Sequence, residues 1–214
     1  MRGKSGKPLP QPRSLAAIGR PGARGKLILF EGIDGSGKST QLALLKAALP
    51  GPVHAFRHHD REGPIGQLIE SFLRHKNSFP PSAQFQLFTA DFLDSAPRIR
   101  ALLDGGATVL LDRWLPSAVA YQSALGFAQA RSIARMLPLP KPALTLLLDL
   151  PASEAVRRKL TNPDRFDSSE RLLAKVRANY LALAKARFHG PWAVLDATKT
   201  REQLAQGILA ALKL

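Results

Sequence analysis

The stretch Gly32-Ile33-Asp34-Gly35-Ser36-Gly37-Lys38-Ser39 fits the pattern GxxxxGK[ST] and constrains this chain more than any other feature. It follows a run, Lys26 to Glu31 (KLILFE), that reads as a strand, and it precedes a helix whose apolar positions are Leu42, Leu44, Leu45 and Leu49. Glycines let such a loop curl so that successive backbone N–H groups point inward at an anion, and the helix beginning near Lys38 adds its positive end. Lys38 would reach the β and γ phosphates of a nucleoside triphosphate, and Ser39 Oγ would be a ligand of Mg²⁺. The residues expected to hold ATP are thus Gly32, Ile33, Asp34, Gly35, Ser36, Gly37, Lys38, Ser39 and Thr40. The alternative is a Gly-rich strand-to-helix turn with no ligand. Motif, preceding strand and following helix all argue against it.

Beyond the loop, short apolar runs alternate with helical periods. Val53 to Arg57, Thr108 to Asp112 (TVLLD), Leu144 to Leu150 (LTLLLDL) and Trp192 to Asp196 read as strands. Helices are expected from Ile65 to Leu73, from Pro80-Pro81-Ser82 to about Leu103, from about Ser117 to Met136, from Ser153, from Ser168 to about Phe188, and from Thr200. Alternation of this kind predicts an α/β fold, a P-loop NTPase of three α/β/α layers around a five-stranded parallel sheet. Near-continuous apolar strands such as TVLLD are covered on both faces in such sheets. Ligands sit beyond the carboxyl ends of the strands, so Asp112 shares a rim with the loop and is the candidate acidic partner of the magnesium shell. An aspartate that merely caps the next helix is the competing view.

The 31 Lys and Arg outnumber the 16 Asp and Glu, for a formal net charge of +15. Seven of the basic residues lie within positions 1–26, before Glu31, the first acidic residue of the chain. That segment is also dense in Gly and Pro, and residues 1–25 are expected to form a disordered basic tail ahead of a single domain at 26–214. Nucleic acid is a conceivable partner through this tail only. Pro and Gly there disfavour the amphipathic helix of a transit peptide, and no apolar stretch of a secretory signal follows the basic start. No run approaches the ~20 apolar residues of a membrane span, so a soluble, cytoplasmic chain is expected. The chain has no cysteine, which excludes disulfide scaffolds, thiolate metal sites and cysteine nucleophiles. His54, His58, His59 and His75 lack a carboxylate at ligand spacing and are expected to be solvent-exposed or pocket-lining.

Several separated motifs resemble one family. Phe30-Glu31-Gly32-Ile33-Asp34-Gly35-Ser36-Gly37-Lys38-Ser39-Thr40-Gln41 is followed by Asp112-Arg113-Trp114-Leu115-Pro116-Ser117 and by Ala120-Tyr121-Gln122. Leu139-Pro140-Lys141-Pro142 and Leu195-Asp196-Ala197-Thr198 come later in the same order. Together they resemble thymidylate kinase from about Lys26 to the C-terminus. The resemblance implies transfer of the ATP γ-phosphoryl group to dTMP with Mg²⁺, nucleotide substrates as partners, and commonly a homodimer. It implies that Arg113 contacts both phosphoryl groups, that Arg61 holds the acceptor phosphate, and that Asp34 meets the acceptor sugar. It places Phe88 against the base, with Tyr121 and Gln122 lining the deoxyribose and base. Gly35 stands where some members carry a catalytic arginine, so a basic lid at 157–165 is expected to supply one, with Arg158 and Arg165 as candidates.

The chain departs from the pattern at Phe92, where members usually have an arginine that helps read the base, and at His58-His59-Asp60-Arg61-Glu62-Gly63. Losing a donor there weakens discrimination among bases. Two alternatives follow: a kinase with another deoxynucleotide or a nucleoside as acceptor, and a non-catalytic, nucleic-acid-associated NTP-binding protein.

Overall fold

The computed structural model describes residues 24–158 and 169–213. Their elements run β1 (Leu27–Glu31), α1 (Lys38–Ala48), β2 (Val53–Arg57), α2 (Pro64–Leu73), α3 (Pro81–Asp104), β3 (Thr108–Asp112), α4 (Leu115–Ala124), α5 (Ala130–Ala134), β4 (Leu144–Asp149), α6 (Ala152–Arg158), α7 (Glu170–Lys185), β5 (Trp192–Asp196) and α8 (Arg201–Ala211). The strands form one parallel sheet in the order β2-β3-β1-β4-β5. β1 and β3 are buried at every position, whereas β2 and β5 at the edges are partly exposed. That contrast explains why TVLLD and LILFE read as continuous apolar runs and VHAFR does not. α1 packs with α8 beside the sheet, and α3, α4 and α7 pack together against it, so the central strands are covered on both faces. This is the three-layer α/β fold that the alternation of elements predicts.

Most element ends have a local cause. α2 and α3 each begin on a proline, whose missing N–H costs nothing in a first turn. α8 is capped by Thr200, whose hydroxyl accepts from the Gln203 N–H while the Gln203 side chain accepts from the Thr200 N–H. One expected helix is corrected: Ser117 to Met136 is not continuous. α4 ends at Ala124, Gly126 takes a left-handed φ of 101°, and a short α5 follows.

The register sets the site. Phe30 of β1 lies beside Asp112 of β3, and the Arg113 N–H donates to the Phe30 carbonyl. The chain turn after β3 is therefore pinned next to the loop after β1. The basic tail at 1–25 falls outside the described residues except for its last two positions.

Candidate active site

The loop after β1 closes on its own lysine. Lys38 Nζ donates to the carbonyls of Gly32 and Ile33, both at 3.0 Å, and lies 4.0 Å from Asp34 Oδ1. Gly32 has a φ of 140°, and a Cβ there would stand 2.6 Å from the Leu148 carbonyl oxygen, so only glycine fits between β1 and β4. Burial lowers the Lys38 pKa to about 8; the Arg113 charge adds to this, and Asp34, Asp112 and Glu31 oppose it. Such an ammonium is poorly compensated without phosphate, which is what an anion site needs.

Arg113 follows β3 in the left-handed region, at φ 74°, a costly conformation for a residue with a side chain. Its Nη2 meets Asp34 Oδ1 at 3.0 Å, while Nη1 donates to Ser117 Oγ at 3.1 Å and to Tyr180 OH at 3.2 Å. The guanidinium also lies over the Tyr121 ring at 5.3 Å. Asp34 thus stands between the two cations, Lys38 and Arg113.

Ser39 Oγ donates to Asp112 Oδ2 at 2.9 Å, and Asp112 is buried. The two oxygens suit a hard cation. Among the described residues no cluster of three or more His, Cys, Asp or Glu could cage a metal. An ion at Ser39 and Asp112 would therefore take its other ligands from phosphate and water, the habit of Mg²⁺ rather than Zn²⁺ or Ca²⁺.

One cleft brings together Asp34, Arg113, Arg61, Phe88, Tyr121 and Gln122. Gln122 is fully buried, and neither of its amide atoms has a protein hydrogen-bond partner. Arg61 is more exposed than a clamp would be, its side chain 57% accessible and its Nε 3.4 Å from Glu70 Oε2. Phe92 is buried in the cleft wall, 4.9 Å from the Trp114 ring and edge-on to His58 at 5.1 Å. The position where the resembled pattern usually has an arginine is thus part of the core.

Arg57, Glu70 and Arg74, which the sequence reading missed, also line this cleft, together with His58 and His59, which it gave as solvent-exposed or pocket-lining. Glu70 gathers His59 at 2.8 Å, Arg74 at 3.0 Å and Arg61 at 3.4 Å; burial opposes its charge, but these donors hold its pKa below the usual range. His58 Nδ1 is 2.7 Å from Asp91 Oδ2. A helix opened by proline whose acid falls one turn before an arginine was the available signal for Glu70; nothing in sequence spacing links His58 to Asp91.

Of the two lid candidates, Arg158 closes α6 and donates through Nη1 to the Gly35 and Ala197 carbonyls, both at 3.2 Å, while its Nε meets Glu154 at 2.9 Å. It therefore ties α6 to the loop and to the segment after β5. Arg165 lies outside the described residues.

Comparison with known proteins fits this geometry. The family model for thymidylate kinase matches residues 30–208. The chain belongs to the thymidylate kinase family. A probable thymidylate kinase of Pyrobaculum aerophilum is 35% identical over 191 residues, covering 87% of this chain and 95% of that protein. Human thymidylate kinase is 30% identical over 189 residues, covering 86% and 88% respectively. The solved thymidylate kinase of Candida albicans, a protein of broad substrate specificity, aligns with a TM-score of 0.80 and 31% identity over 90% of this chain and 93% of that one. Membership makes the chain a phosphotransferase acting on nucleotides, with ATP as the family's phosphate donor. No helix among the described residues is long and apolar enough to cross a membrane.

Proposed function

We propose that this member of the thymidylate kinase family catalyses dTMP + ATP to dTDP + ADP. One observation carries the assignment of roles: Arg113 bonds Asp34 at the nucleotide loop with Nη2 and the acceptor-side Ser117 with Nη1, so one guanidinium spans both halves of the site. A dTMP phosphate oxygen attacks the γ-phosphorus of ATP in line, the bond to the bridging oxygen breaks, and ADP leaves. Two polyanions must approach for this, and Lys38 and Arg113 supply opposing charge. Mg²⁺ held by Ser39 and Asp112 would neutralise phosphate charge when bound. Phe88 stacks on the base, Arg61 attracts the acceptor phosphate, and Tyr121 and Gln122 contact sugar and base. Arg158 and Arg165 serve the donor side.

An ADP-release assay across dTMP, dUMP, dCMP, UMP and CMP tests this. Turnover fastest with dTMP is the expected result, and no turnover above ATP hydrolysis with any acceptor overturns it. Phe92 supports a second reading, a kinase whose acceptor is another deoxynucleotide, and the same series separates the two.

The kinase domain spans 26–214, and nucleic acid binds only through the basic tail at 1–25. Binding that survives deletion of 1–25, or that does not fall with salt, removes that role for the tail. The domain acts in the cytoplasm as a homodimer, and a single-subunit mass by light scattering would contradict the pairing.

A further inference from the structure

Glu31 has no part in the mechanism above, yet it is the most enclosed acid of the site. It ends β1 with no accessible surface. Its Oε1 accepts the backbone N–H groups of Trp114 at 3.0 Å and Ser117 at 3.3 Å. Its Oε2 accepts from Ser117 Oγ at 2.6 Å and from Tyr180 OH at 2.9 Å. The two hydroxyls are 2.7 Å apart. β1, α4 and α7 thereby meet in a triangle of three oxygens.

Arg113 sits on that triangle. With both hydroxyl protons drawn toward the carboxylate, the oxygen lone pairs of Ser117 and Tyr180 are left facing outward, and Arg113 Nη1 donates to both. A carboxylate in direct contact would take a guanidinium fork bidentately and compete with phosphate for it. Two interposed hydroxyls orient one nitrogen instead and leave Nη2 toward Asp34 and the nucleotide loop. Glu31 acts on the arginine at one remove, and Tyr180 carries that hold to α7.

We infer that Glu31, Ser117 and Tyr180 are positioning residues that fix the orientation of the Arg113 guanidinium for phosphoryl transfer, a role that rests on the function proposed above. Transfer depends on alignment more steeply than ground-state binding does. The triangle should therefore govern kcat and leave both KM values nearly alone.

The test is steady-state kinetics on the full chain with Tyr180→Phe, Ser117→Ala and Ser117→Thr. Y180F and S117A are expected to lower kcat about tenfold or more while the KM values for ATP and dTMP stay within about threefold, and S117T is expected to recover most of the loss. Y180F keeps the ring and its packing, so a merely structural hydroxyl would shift the thermal midpoint and spare kcat. That result overturns the inference. In an Arg113→Lys background the Y180F loss should shrink to below about threefold, because a lysine cannot present the same fork; losses that multiply in full also overturn it. The parent enzyme is assayed first, and absence of turnover there sinks the proposed function. The positioning role is then still decided by NMR of the nucleotide-free protein, where a sharp Arg113 Nε–H signal in the parent should broaden in Y180F, and an unchanged signal counts against it.

Discussion

The two halves of this site, donor and acceptor in the function proposed above, are built in different ways. On the donor side the ligand surface is mostly backbone: eight consecutive residues curl around a lysine held by two carbonyls of the same loop. The acceptor side is made of side chains from the β2–α2 turn, α2, α3 and α4. A surface of N–H groups tolerates few sequences, because the curl needs glycine at fixed places. Side chains from several segments can exchange roles, and here the Phe92 ring occupies the wall where the resembled pattern usually has an arginine.

Lys38→Ala should produce the largest change. With the charge at the donor phosphates removed, kcat is expected to fall about a thousandfold, equivalent to roughly 4 kcal/mol. Stability should hold or rise, since a buried ammonium with a lowered pKa is lost. A kcat within about tenfold of the parent would break the view that the donor half works through this one cation.

On the acceptor side the next largest effect appears as stability. Phe92 is buried to 1% exposure between His58 and Trp114, so Phe92→Ala opens a cavity in the core and should cost about 3 kcal/mol in urea unfolding. A loss below about 1 kcal/mol would mean that the ring belongs to the ligand site alone.

This contrast also explains what was legible in the sequence. The loop, the five strands and Asp112 could be read because each depends on local rules: glycine placement, apolar runs and strand-terminal acids. Arg113 came from the motif that begins at Asp112, and Tyr121 and Gln122 from a second motif shortly after it, both read through the resemblance to the family. Glu31 sat in plain view beside the loop, but its partner Tyr180 lies 149 residues away, and no spacing rule joins them. The His58–Asp91 pair and the Glu70 cluster are likewise made by the packing of the β2–α2 turn against α2 and α3. The break after Ala124 was missed because Gly126 lies inside an otherwise helical pattern, where one glycine is often tolerated.

Glu31 sharpens the comparison where the halves join. Burial lifts its pKa from 4.5 to about 6, against the hydrogen bonds from Ser117, Tyr180 and the Trp114 N–H and the charge of Arg113. The folded state then binds the proton more tightly than the unfolded chain does. Its contribution to stability is fully present below about pH 4.5 and is lost as pH rises through about 6, a span of roughly 2 kcal/mol. Glu31→Gln does not titrate. The stability of the parent relative to E31Q, from urea unfolding at pH 4.5 and pH 7, should therefore decline by about that amount on going to pH 7. A difference that is flat or grows with pH would show the carboxylate to be better solvated by its donors than its enclosure implies.

Arg61 should give the smallest effect, although it was the expected clamp for the acceptor phosphate. Its side chain is 57% accessible and already shares Glu70 with His59 and Arg74. A guanidinium in that much water is screened, so its attraction for the dTMP phosphate amounts to about 1 kcal/mol. Arg61→Ala is expected to raise the KM for dTMP about fivefold while leaving kcat and the KM for ATP within about twofold. Added salt should shrink the gap between variant and parent, because the interaction is exposed. A hundredfold rise in KM would mean that the cleft closes over the acceptor and draws Arg61 out of solvent, and the acceptor half would then be as tightly built, once occupied, as the loop around Lys38.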